Sequence, residues 1–203
     1  MKKLIALLLV LTFCMVAFAG CRDDEGSSST NSATGEIDAL AADGKLDNIK
    51  YGLRADIDDV KKYYSDLEAE FLSEHTDEDG HNHDEEFVYY NFEKKSEYSV
   101  IDISSARFYF ENTKQDKGIS VIATDSETFG FTPGVTTKYE VEDSVKAEGE
   151  TFNATDDELR FLAVRTEPVL VLRYEYEDYT LDFYFYENTL ITTVLTNTDN
   201  WKL

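Results

Sequence analysis

The chain has 203 residues, with 42 Asp and Glu against 19 Lys and Arg and a formal net charge of −23. So acidic a surface repels phosphate backbones and anionic headgroups, which excludes nucleic-acid binding and electrostatic adsorption to a membrane. The charge does not make the chain disordered, because 13 Tyr and 13 Phe among many Val, Ile and Leu suffice for one sizeable core or two small ones.

The chain opens on Lys2 and Lys3, followed by an apolar run from Leu4 to Ala19 and then Gly20-Cys21. A charged start, a short apolar stretch and small residues before a cut read as a secretory signal. At about 16 residues the run falls short of the ~20 that span a bilayer. Cysteine after Ala-Gly resembles the lipobox of bacterial lipoproteins. That resemblance implies a diacylglyceryl group on Cys21 and anchorage to the outer face of the cytoplasmic membrane, or to a membrane facing a periplasm. Ala17-Phe18-Ala19 also forms an A-x-A site, and cleavage after Ala19 would release a soluble secreted protein instead. Cys14 leaves with the signal, so Cys21 is the only cysteine of the mature chain, and a lipidated thiol explains the odd count.

Residues 1–20 are therefore read as the signal and 21–45 as an acidic, Ser-rich tether with a span of roughly 25–30 Å. The first helix is expected over Asp56–Tyr64. Asp56 caps it, Asp58 and Asp59 complement its positive end, and Ile57, Val60 and Tyr63 or Tyr64 share one face. Strands are expected at 69–73, 87–92, 105–111 and 119–125. A second helix is expected over 138–147, with strands at 159–165, 169–176, 180–186 and 190–196.

The two halves echo each other. Phe108-Tyr-Phe-Glu-Asn112 matches Phe183-Tyr-Phe-Tyr-Glu-Asn188, and Val121-Ile-Ala-Thr-Asp125 resembles Val194-Leu-Thr-Asn-Thr-Asp199. The fold class expected is α+β, with short helices packed on antiparallel β-sheet. The organisation expected is a degenerate tandem duplication of a helix and a four-stranded meander, over 46–130 and 131–203. A duplicated unit of this kind, with Gly52-Leu53 and Gly134-Val135 ahead of its helices, resembles the β-lactamase inhibitor proteins. A single unit resembles the small lipoproteins of outer-membrane assembly. The resemblance implies a protein-binding module with a curved sheet, not a catalytic one.

Alternation assigns faces. Leu170, Leu172, Tyr174 and Tyr176 share one side of their strand, with Arg173 on the other; Leu181, Phe183 and Phe185 read as core, and Tyr184 and Tyr186 point away. Tyr184, Tyr186 and Arg173 are thus candidates for partner binding, since Tyr supplies contact area and a hydroxyl at low entropic cost. Tyr is equally a good strand residue on a half-wet face. Alignment on Glu-Asn or on Phe-Tyr-Phe places Phe108 against Tyr184 or Phe183 respectively, and that one-residue slip exchanges the faces.

All three histidines lie in the stretch from Glu74 to Glu86. His75, Asp77, Asp79, His81, His83, Asp84 and Glu86 form a candidate site for Zn, Ni or Cu, and less readily Ca. An EF-hand loop is rejected, because His75 stands at its first position and Asn82 at its eighth. A solvated loop tip is the plainer reading of the same residues. No G-x-S-x-G, H-E-x-x-H, Walker or dinucleotide-binding pattern occurs, and no enzyme is expected. The function expected is lipid-anchored, extracytoplasmic, non-catalytic binding of a protein or peptide, a cationic one by charge. The alternative is a metal-binding or metal-delivery lipoprotein using residues 74–86.

Overall fold

A computed structural model describes residues 33–75, 89–164 and 167–201. Eight strands form one antiparallel sheet: β1 Tyr90–Lys94, β2 Tyr98–Ile103, β3 Arg107–Glu111, β4 Val121–Thr124, β5 Gly149–Asn153, β6 Leu170–Glu175, β7 Tyr179–Tyr186 and β8 Thr189–Asn197. Their spatial order is β1-β2-β3-β4-β8-β7-β6-β5. Two four-stranded meanders therefore meet back to back through β4 and β8, where Val121 stands opposite Thr196 and Ala123 opposite Val194. A helix precedes each meander: α2, Ile57–His75, and α3, Lys138–Ser144. The α+β class and the packing of helices on antiparallel sheet hold as expected.

The cap expected at Asp56 is present, and the helix expected over 138–147 begins at Lys138 but ends at Ser144. Asp56 Oδ1 accepts from the backbone N–H of Asp58 at 2.9 Å and Asp59 at 3.1 Å. Thr137 and Glu140 form a reciprocal capping box on α3. Ile57, Val60 and Tyr64 face the core at helical spacing.

Three segments depart from expectation. Residues 69–73, read as a strand, continue α2, because good helix formers run on from Tyr64 with no breaker. Of the strand expected at 159–165, the described residues 159–164 are not a strand either. A capping box of Thr155 and Glu158 closes Asp156–Leu159 into one helical turn, α4, and the chain then turns through Phe161. The strands missing from the count are β2 and β5, one in each half. Finally, 33–42, assigned above to the tether, forms helix α1, Ala33–Ala42. Its Ile37 and Ala41 are buried and it packs on β7. The Tyr176 hydroxyl donates to Asp38 Oδ1 at 2.8 Å and fastens it.

The sheet separates two apolar clusters. On the helix side, Ile101, Phe108, Phe110, Ile122, Leu172, Leu181, Phe183 and Leu195 pack with Ile37, Leu53, Val60 and Val141. On the second face, Val100, Tyr109, Val121, Val171, Tyr184 and Val194 pack with Leu159, Phe161 and Val169. Phe108 and Phe183 thus share the helix side and Tyr109 and Tyr184 the other, so the halves match on Phe-Tyr-Phe. Gly118 joins the loop before α2 to the first meander. At φ 75° it brings its backbone so near that a Cβ would lie 2.4 Å from the Ala55 carbonyl oxygen, and only glycine fits. Among the described residues no helix is long and apolar enough to cross a membrane.

Candidate functional site

The two halves differ on the second face. In the second half, the connection from β5 to β6 folds back over the sheet through α4. Phe161 meets Tyr109 edge-on at 5.3 Å between ring centroids, and Trp201 closes over Phe161, Tyr98 and Tyr109. In the first half the β1–β2 connection is a tight turn at residues 95–97 that, among the described residues, covers no part of this face. A groove of about 590 Å³ remains there, walled by Tyr98, Val100, Asp102, Arg107 and Tyr109 on one side and Arg160, Leu162 and Ala163 on the other.

The charges of the groove are mostly matched within it. Arg107 Nη2 donates to Asp125 Oδ1 at 3.0 Å and Oδ2 at 2.9 Å, and Thr192 Oγ1 donates to Asp125 Oδ1 at 2.6 Å. Lys95 pairs with Glu93, and Arg160 pairs with Asp157. Asp102 is the exception. It stands opposite Arg107 in the β2–β3 register, yet that guanidinium is turned to Asp125, and among the described residues no ion pair reaches Asp102. Burial pushes its carboxyl above the ordinary range; Arg107 draws it down, and Asp125 and Glu93 push it further up. Tyr109 is pushed up to about 12, chiefly by burial.

The corresponding place in the second half is filled. Arg173 on β6 stands opposite Asp182 on β7 and donates Nε to Oδ1 at 2.8 Å and Nη2 to Oδ2 at 2.6 Å. Glu158, from the covering turn, comes within 3.7 Å of the same guanidinium. Burial pushes the Glu158 carboxyl up, but bonds from Thr155 and the charge of Arg173 outweigh it and hold it below the usual range.

The residues singled out from sequence fall in different places. Tyr184 is fully buried under the covering segment and does not lie on a half-wet face. Its hydroxyl finds no hydrogen-bond partner among the described residues, and burial raises it well above its ordinary value. Arg173 is half-buried in its pair with Asp182. Tyr186 is part-exposed at the end of β7. The reason is the covering segment itself, which a strand at 159–165 would not have supplied. His75 ends α2, with its side chain outside the described residues, as are Asp77, Asp79, His81, His83, Asp84, Glu86 and the lipid-attachment candidate Cys21. Among the described residues no three His, Cys, Asp or Glu side chains gather to hold a metal.

Tyr98 and Asp102 escaped the sequence reading because β2 did, while Arg107 and Asp125 lay on or beside expected strands but were not singled out. A usable signal was present: Asp102 stands between Ile101 and Ile103, as Asp182 stands between Leu181 and Phe183 in β7. No family model, curated protein sequence or solved structure matches this chain.

Proposed function

We propose that the chain is an exported, lipid-anchored, non-catalytic binding module that docks a segment of another protein in the open groove of its first half. The observation that carries this reading is the asymmetry of the second face. The chain's own turn covers this sheet surface in the second half and, with Trp201, reaches only Tyr98 and Tyr109 in the first, leaving a groove beside them with mostly polar walls and an unmatched carboxylate. A polar groove with part-exposed Tyr98 and Leu162 on its walls suits recognition of a polar segment. The acidic surface favours a basic partner by steering encounter. A diacylglyceryl group on Cys21 would hold the module at the membrane, and two successive units of helix and meander support the resemblance to inhibitor-type binding proteins.

A photo-crosslinking residue placed at Ala163, exposed on the groove wall, tests the reading in whole cells. The expected result is a discrete protein adduct from Ala163 and none from Asp58, exposed at the start of α2. The adduct should survive replacement of His75, His81 and His83 by Ala. Adducts from Asp58 alone, or none from Ala163, would sink the docking reading. Loss of the adduct in the histidine variant would transfer the role to residues 74–86.

A further inference from the structure

The two halves set an acid opposite a base at the same cross-strand position with the charges exchanged, and only the second half closes them into an ion pair. On the second face, Asp102 on β2 opposes Arg107 on β3, and Arg173 on β6 opposes Asp182 on β7. Phe108-Tyr-Phe aligns with Phe183-Tyr-Phe, which puts Arg107 at the place of Asp182 and Asp102 at the place of Arg173. In the covered half, Arg173 is the member that meets the covering turn, and the turn answers it with a carboxylate, Glu158. The same turn seats Leu159 and Phe161 on the sheet beside it.

We infer that the groove takes a short turn of a partner protein that presents a Lys or Arg to Asp102 and apolar side chains to Tyr98 and Leu162, the part-exposed apolar residues of its walls, as a charge-inverted counterpart of the chain's own α4. This inference rests on the docking reading above and names the chemistry of the occupant. Three features of the groove support it. Its other charged groups are already paired, so Asp102 alone is left to select charge. Asp102 is part-buried, where a matched cation is worth more than in bulk solvent. The carboxylate is already raised by burial without a partner, and an arriving cation would relieve that burden.

The probe is a set of three synthetic peptides copying residues 154–164, with Glu158 retained, Glu158→Gln or Glu158→Lys. Each is titrated into the full chain while amide shifts of β2, β3 and residues 160–163 are followed by NMR. The Glu158→Lys peptide should shift those amides and bind about tenfold tighter than the Glu158→Gln peptide, the usual scale for one charged hydrogen bond. Asp102→Asn should erase that preference while leaving the melting midpoint near or above wild type. Asp102→Lys should transfer preference to the peptide that retains Glu158.

Equal affinity of the three peptides at the groove would overturn the cation assignment and leave the docking reading standing. Shifts confined to other surfaces, or none up to about 1 mM peptide, a free energy near 4 kcal/mol, would overturn it as well. Self-association of the free chain that Asp102→Lys abolishes would give the groove to a second copy, and overturn it too. The docking reading fails separately, on the absence of an adduct at Ala163.

Discussion

Arg173 holds Asp182 through two bonds, Nε to Oδ1 at 2.8 Å and Nη2 to Oδ2 at 2.6 Å, with Asp182 only 2 % exposed. A carboxylate so placed is tolerable because a planar guanidinium meets it with both edges. Removing the cation alone leaves a buried, uncompensated charge. Arg173→Met should therefore cost about 3–5 kcal/mol at neutral pH. The loss should shrink on acidification, since the orphaned Asp182 can then take a proton. Arg173→Met with Asp182→Leu should recover most of it, and urea unfolding of the single and double variants measures this. Equal losses in both would remove the pair from the account.

Asp102 gives the opposite pH signature to an ordinary paired carboxylate. Its folded-state value lies above the ordinary 3.8 because burial disfavours the charge. The native state then holds that proton more tightly than the unfolded chain does. The group's contribution is best at low pH and falls as pH rises from the ordinary value through the raised one. Asp102→Asn should accordingly be at least as stable as wild type at pH 7, with the difference vanishing below the ordinary value. Thermal melts of both proteins across pH 3–7 check the sign, and a variant clearly less stable at pH 7 would contradict it.

Phe161 is the keystone of the covering segment, buried between Tyr109 and Trp201. Phe161→Ala should lose about 3 kcal/mol, the lower end of the range for deleting a core aromatic. Trp201 is the only tryptophan, so its emission should move to longer wavelength in the folded variant as water reaches it. An unchanged spectrum with an unchanged melt would mean that the segment does not hold the second face.

Ile37 separates a structural helix from a tether. Its side chain is 4 % exposed against the helix-side core. Ile37→Ala should destabilise the fold by about 3 kcal/mol, read as a lower urea midpoint at unchanged slope. A tether residue would give no change at all.

Much of this protein was legible along the chain because it depends on neighbours in sequence. The cap at Asp56, a helix opening at Lys138, and the period-2 runs that became β6, β7 and β8 are local features, and the echo of Phe108-Tyr-Phe in Phe183-Tyr-Phe is a comparison of letters. Local pattern failed at 69–73 and 159–164, where short apolar runs suit helix and strand equally and continuity with α2 or a capping box decided the outcome. The groove was out of reach for a different reason. Whether a sheet face is open depends on what folds over it, and the turn that buries Tyr184 arrives from the β5–β6 connection, while nothing equivalent follows β1. That Arg107 turns to Asp125 and leaves Asp102 unmatched is likewise a matter of β4 lying beside β3. Strand order and the path of one connection, both set by long-range packing, determined which carboxylate was matched and which was left facing the groove.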